Sequence, residues 1–127
     1  MSDAVLDASA LLAVLNGEPG GEHVVPVLFE ASVSTVNLAE VVTKMIQAGA
    51  VESQIRQRIS GVGLTVVPFD QNLAYQTGLL TPQTRRYGLS LGDRACLALG
   101  KQTSLPVYTA ERIWARVDVG VTVVLIR

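Results

Sequence analysis

The chain has 127 residues, 49% of them hydrophobic, and 11 acidic against 10 basic groups give a net charge of −1. That is enough for one domain with a real core and too little for two, and the balance excludes any case for nucleic-acid binding from gross basicity. A single cysteine, Cys96, excludes an intramolecular disulfide and a multi-cysteine zinc site; with no basic leader and no apolar run near the roughly 18 residues of a membrane span, a reducing, cytoplasmic setting without membrane attachment is expected.

Ala4, Val5 and Leu6 run into Asp7 and then Ala8-Ser9-Ala10-Leu11-Leu12, a short buried strand that delivers a carboxylate at its C-terminal end and turns at once into a helix. Asn16-Gly17, Pro19 and Gly20-Gly21 end that helix in a loop over 16–22, and a second short helix follows. A second strand is expected over 31–35. Leu38, Val41, Val42, Met45 and Ile46 then recur at helical spacing over 37–48, with Gly49 as the stop. Val51, Ile55 and Ile59 mark a further helix over 51–59, and Leu64 to Val67 a third strand that Pro68 ends.

The pattern continues with a helix over 70–80, interrupted by Thr81-Pro82, and a loop over 83–88 that carries Arg85 and Arg86. Helical spacing resumes over 90–101, a fourth strand is expected over 105–108, a short helix over 111–117 and a fifth strand over 121–126. Strands alternating with helices at this size predict a small three-layer α/β domain with a mostly parallel sheet. Right-handed crossovers place helices on both faces.

Three carboxylates sit at helix starts. Asp7 can be an N-cap, Asn37 with Glu40 can form a capping box, and Ser90 with Asp93 another. Glu111, after the fourth strand, can be a first-turn acid with Thr109 as its cap. If these helix starts converge at one sheet edge, the same acids can share a hard cation through oxygen ligands, with Ser9 supplying a hydroxyl or binding a coordinated water, and the cation would offset their mutual repulsion. Capping and metal binding are not exclusive. Asp118 is less well placed and reads as a solvated helix end.

Four segments carry a family resemblance: Val5-Leu6-Asp7-Ala8-Ser9-Ala10, Thr35-Val36-Asn37-Leu38-Ala39-Glu40-Val41, Leu91-Gly92-Asp93-Arg94-Ala95-Cys96-Leu97-Ala98-Leu99 and Val107-Tyr108-Thr109-Ala110-Glu111-Arg112-Ile113-Trp114. In this order they resemble the PIN-domain ribonucleases, specifically the VapC toxins of type II toxin–antitoxin modules, over essentially the whole chain. The resemblance implies a PIN-like α/β/α domain spanning residues 1–127 around a five-stranded, mostly parallel sheet. It also implies a Mg2+- or Mn2+-dependent endoribonuclease with Asp7, Glu40 and Asp93 as its acidic core. Glu111 matches the family's fourth acid, usually an aspartate, and Ser9 and Thr109 match its small hydroxyl positions. An RNA substrate, a cognate antitoxin and a homodimer follow from the same resemblance.

An acidic site needs cations nearby to meet a phosphate backbone, and Arg85, Arg86, Arg94 and Arg112 are the candidates. Salt bridges for Arg94 and Arg112, and a solvated loop for Arg85 and Arg86, are the plain alternatives. His23 is the only histidine, so a histidine acid/base pair is excluded, and no glycine-rich phosphate loop with a following lysine is present. Cys96 and Trp114 read as packing residues in preference to a nucleophile and a base-stacking platform. Two other classes remain open: a different metal-dependent phosphohydrolase or DNA nuclease, and a non-catalytic regulatory or binding domain whose acids only cap helices.

Overall fold

The computed structural model describes residues 2–127. Its centre is strand β1 (Ala4–Leu6), whose three residues are fully buried because a strand lies on either side of it and helices cover both faces. Helices α1 (Ala8–Asn16) and α2 (Gly21–Leu28) lead to strand β2 (Ala31–Ser34), followed by α3 (Thr35–Gln47), α4 (Glu52–Ser60) and β3 (Thr65–Val67). The second half holds α5 (Gln71–Leu79), the single turn α6 (Thr81–Thr84), a 3-10 turn (Arg85–Tyr87), α7 (Leu91–Thr103), β4 (Val107–Thr109), a 3-10 helix (Arg112–Arg116) and β5 (Val123–Leu125).

All four ladders are parallel and the strand order is β3-β2-β1-β4-β5. Val5 stands in register with Ser32 on one side and Val107 on the other. The pleat sends Val5 and Leu6 to opposite faces, and each joins a separate core. Val5 packs with Leu73, Cys96, Leu97, Leu99, Val107 and Trp114, on the side of α5 and α7. Leu6 packs with Val33 of β2 and with Leu11, Val24, Val41, Met45 and Ile55, contributed by α1 to α4. The result is the expected three-layer arrangement with five strands, and the sheet is parallel throughout.

Several boundaries differ from the sequence reading. The loop over 16–22 is shorter than expected: α1 runs to Asn16, Gly17 at φ 64 supplies its left-handed stop, and α2 begins at Gly21. The segment 83–88 is helical, with Thr84 closing α6 through a hydroxyl bond to the Leu80 carbonyl and Gly88 ending the 3-10 turn at φ 69. β4 starts two residues later than expected, because Pro106 has no N–H to give the ladder; its carbonyl accepts from Val5 instead. The short helix after β4 is a 3-10 helix. Among the described residues no helix is long and apolar enough to cross a membrane.

Asn37 and Glu40 do not form a capping box. The helix starts at Thr35, and Ser34 is the cap, its hydroxyl accepting from the Val36 N–H at 3.2 Å. Asn37 therefore lies inside the first turn and faces inward.

Candidate active site

Parallel strands place their C-terminal ends on one edge, and the acids arrive there from different elements. Asp7 leaves β1 and caps α1, its Oδ1 accepting from the Ala10 N–H at 2.8 Å. The same oxygen accepts from the Ser9 hydroxyl at 2.7 Å, while Oδ2 accepts from the Thr109 hydroxyl at 2.6 Å. These hydroxyls are themselves fixed: Ser9 Oγ accepts from the Ala110 N–H and Thr109 Oγ1 from the Glu111 N–H, each at 2.9 Å. The loop after β4 is thus tied to the start of α1 through Asp7.

Asp7 is only 4% exposed, and its pKa is pushed up to about 6. Burial is the main cause. Hydrogen bonds from Thr109, Ser9 and the Ala10 N–H pull the other way, and the Asp93 charge adds a smaller upward push.

Glu40 comes from the second turn of α3, and its Oε1 accepts from Asn37 Nδ2 at 2.7 Å. Asp93 sits in the first turn of α7 in the expected capping box. Its Oδ2 accepts from the Ser90 N–H at 2.9 Å, and the Ser90 hydroxyl accepts from the Asp93 N–H at 3.1 Å. Glu111 is exposed at the start of the 3-10 helix and its side chain makes no capping bond. Thr109 does not cap a helix either; it is a buried strand residue whose hydroxyl closes a turn onto the Glu111 N–H.

These side chains meet. Asp7, Glu40, Asp93 and Glu111 line one cavity of about 180 Å³ together with Ser9, Ala8, Leu12, Asn37 and Lys44. Thr109 stands behind Asp7 and outside that lining. The donors are all oxygens, the chemistry of a site for Mg2+ or Mn2+ in preference to zinc or copper. The acids do not form a closed cage: among the described residues no three acidic, histidine or cysteine side chains are gathered tightly enough to hold one ion. Each buried or half-buried acid is instead held by its own hydrogen bonds, as unneutralised carboxylates sharing a cavity must be.

Lys44 is the lining residue that sequence reading passed over. Its signal was present, one helical turn beyond Glu40 at i+4. The four arginines lie outside the lining. Arg85 and Arg86 are exposed, with Arg86 over the Tyr87 ring at 4.8 Å, and Arg112 is exposed on the 3-10 helix. Arg94 bonds the Thr77 carbonyl and the Thr81 hydroxyl, both at 3.1 Å, and so braces α7 against α5 and α6. Cys96 is fully buried behind the acids; burial, then the charges of Asp7, Asp93 and Glu40, hold its thiol well above the usual range and neutral. Trp114 is fully buried and His23 is exposed, the packing and surface roles expected of them.

Comparison with curated proteins finds no match. Solved structures give the same fold. DNA-bound VapBC from Salmonella typhimurium is similar at TM-score 0.80 and 19% identity, covering 100% of both chains. A toxin–antitoxin complex from Klebsiella pneumoniae is similar at TM-score 0.75 and 19% identity, covering 98% of each chain. VapC20 from Mycobacterium tuberculosis, described as a sarcin-ricin loop cleaving toxin, is similar at TM-score 0.73 and 13% identity, covering 94% of this chain and 99% of that one. The family model of the PIN domain matches residues 4–120, a span that holds all four acids of the cavity and both hydroxyls that tie Asp7 down. On that match the chain belongs to the PIN domain family.

Proposed function

We propose that the protein is a metal-dependent endoribonuclease of the VapC kind, the toxin of a toxin–antitoxin pair. The observation that carries this reading is the convergence of Asp7, Glu40, Asp93 and Glu111, from four separate segments, on one cavity at the C-terminal edge of the parallel sheet. Membership of the PIN family and the fold shared with VapC structures support it.

Asp7, Glu40, Asp93 and Glu111 would hold the cation, Mg2+ or Mn2+, by drawing closer together around it than they stand in the metal-free cavity. When bound, such an ion polarises a scissile phosphate and lowers the pKa of a water. The chain's own residues do the rest. Ser9 and Thr109 spend their hydroxyl hydrogens on Asp7, which fixes the carboxylate's direction and favours its ionised form against burial. Glu111 keeps an exposed side chain at the mouth, with one more methylene of reach than an aspartate. Lys44 is the cation inside the lining and the first candidate to meet a phosphate oxygen; Arg85, Arg86 and Arg112 are exposed and free to track the strand further out. Arg94 serves as a brace.

An antitoxin partner is part of the proposal, since the similar structures from Salmonella typhimurium and Klebsiella pneumoniae are a VapBC assembly and a toxin–antitoxin complex. So is a homodimer, with Tyr75 and Leu79 exposed one turn apart on α5 as apolar surface for it. The substrate class is tested by offering single-stranded RNA, DNA of the same sequence and a phosphomonoester to the purified protein with Mg2+ or Mn2+. Cleavage of RNA alone supports the reading. Cleavage of DNA or release of inorganic phosphate would replace it with a DNA nuclease or a phosphohydrolase.

A further inference from the structure

Asn37 and Gly92 are the two residues around the cavity that capping and core packing leave unexplained. Asn37 is 1% exposed, and its Nδ2 donates both to Glu40 Oε1 at 2.7 Å and to the Gly92 carbonyl at 3.1 Å. Both partners only accept, so the amide cannot be turned round. Its Oδ1 is consequently buried with no protein partner. A buried orphan acceptor is a cost that an apolar side chain of the same size would avoid, so the amide is retained for what its other end does.

What that end does is hold a carboxylate against α7. Gly92 lies in the first turn of α7, and its backbone does not require glycine, since its φ is not positive. A Cβ at this position would stand 2.5 and 2.6 Å from the two carboxylate oxygens of Glu40 and 2.7 Å from its Cδ. Real side chains do not approach so closely, and alanine is the better helix former. The missing methyl is the space that the Glu40 carboxylate occupies.

We infer that Asn37 and Gly92 form a seat for Glu40, holding its carboxylate on the first turn of α7 beside Asp93, where it can act as a cation ligand. The inference rests on the metal-dependent reading above. Both are positioning residues, since they act through Glu40.

The test is calorimetric titration of Mn2+ into wild type, Gly92→Ala, Asn37→Leu, Glu40→Asp and the Glu40→Asp/Gly92→Ala double variant, with thermal unfolding of each in chelator. Gly92→Ala keeps the wild-type unfolding temperature in chelator, because the displaced atoms end a flexible side chain, and its Mn2+ affinity falls about 10- to 100-fold, the usual effect of losing a residue that orients a ligand. Asn37→Leu weakens Mn2+ likewise; should it fail to fold, Gly92→Ala decides alone. Glu40→Asp withdraws the carboxylate from the methyl, so adding Gly92→Ala to it costs no further affinity. Wild-type affinity in folded Gly92→Ala, or a full additional loss in the double variant, overturns the seat while leaving the metal reading intact. Absence of Mn2+ binding by the wild type overturns both.

Discussion

Asp7 is held by three donors and yet disfavoured as an anion, because burial outweighs its hydrogen bonds. The consequence for stability has a definite sign. The folded-state pKa of about 6 lies above the ordinary 3.8, so the native state binds the proton more tightly than the unfolded chain does. In the metal-free protein this contribution is present below pH 4, is lost as pH rises through about 6, and amounts to about 3 kcal/mol of lost stability at neutral pH for a shift of this size. Asp7→Asn removes the charge and keeps a capping oxygen. Its Tm in chelator at pH 7 is therefore expected at or above the wild-type value, and the difference should shrink towards pH 4, as a thermal-melt series over pH 4 to 7 would show. Thr109→Val removes the shortest of the three bonds. In the metal-free protein it should raise the Asp7 pKa by about one to two units, since a hydrogen bond to a charged group contributes about 1.5–3 kcal/mol to the ionised form; an NMR titration in chelator that finds the pKa unmoved would show that the Thr109 bond does not hold the anion.

Helix starts do two jobs in this fold. The Ser90–Asp93 box both closes the first turn of α7 and holds an acid of the cavity, so Ser90→Ala is expected to cost about 1 kcal/mol in denaturant unfolding, as loss of such a cap usually does. Arg94 belongs to the scaffold. Arg94→Met should lower Tm and leave the salt dependence of RNA binding unchanged, whereas Arg85→Ala or Arg86→Ala should leave Tm unchanged and reduce the salt slope by about 1 each if the side chain meets a phosphate. The strand-to-helix junction at Asp7 and the box at Ser90–Asp93 were readable because each is a local pattern of a few residues. The start of α3 was not. Ser34 and Asn37 are both good caps, and only the contact with Gly92, 55 positions away, turns Asn37 inward. The same limit hid Lys44, whose place in the lining depends on how α3 meets α1 and α7.

At the scale of the molecule, the central apolar strand and the all-parallel order bring chain positions 7, 40, 93 and 111 to one edge. Periodicity predicted the layers and the strand count, since alternating strands and helices of this length have few other packings. It could not supply the strand order β3-β2-β1-β4-β5, which crossovers of similar length leave open. A cation that binds the folded state alone should stabilise the whole domain, by about 2.7 kcal/mol at a hundredfold excess over its Kd, and chelator should reverse the gain.

The central claim is that the acid cavity cuts RNA, and its most direct test is cleavage of a mixed structured and single-stranded RNA by antitoxin-free wild type and Asp7→Asn, each with Mg2+, Mn2+ or chelator. The account predicts cutting by the wild type only with metal, and a loss of at least about 100-fold in Asp7→Asn, roughly 2.7 kcal/mol of barrier, with the fold unchanged by circular dichroism. Equal cutting by both proteins, or cutting that persists in chelator, would contradict it.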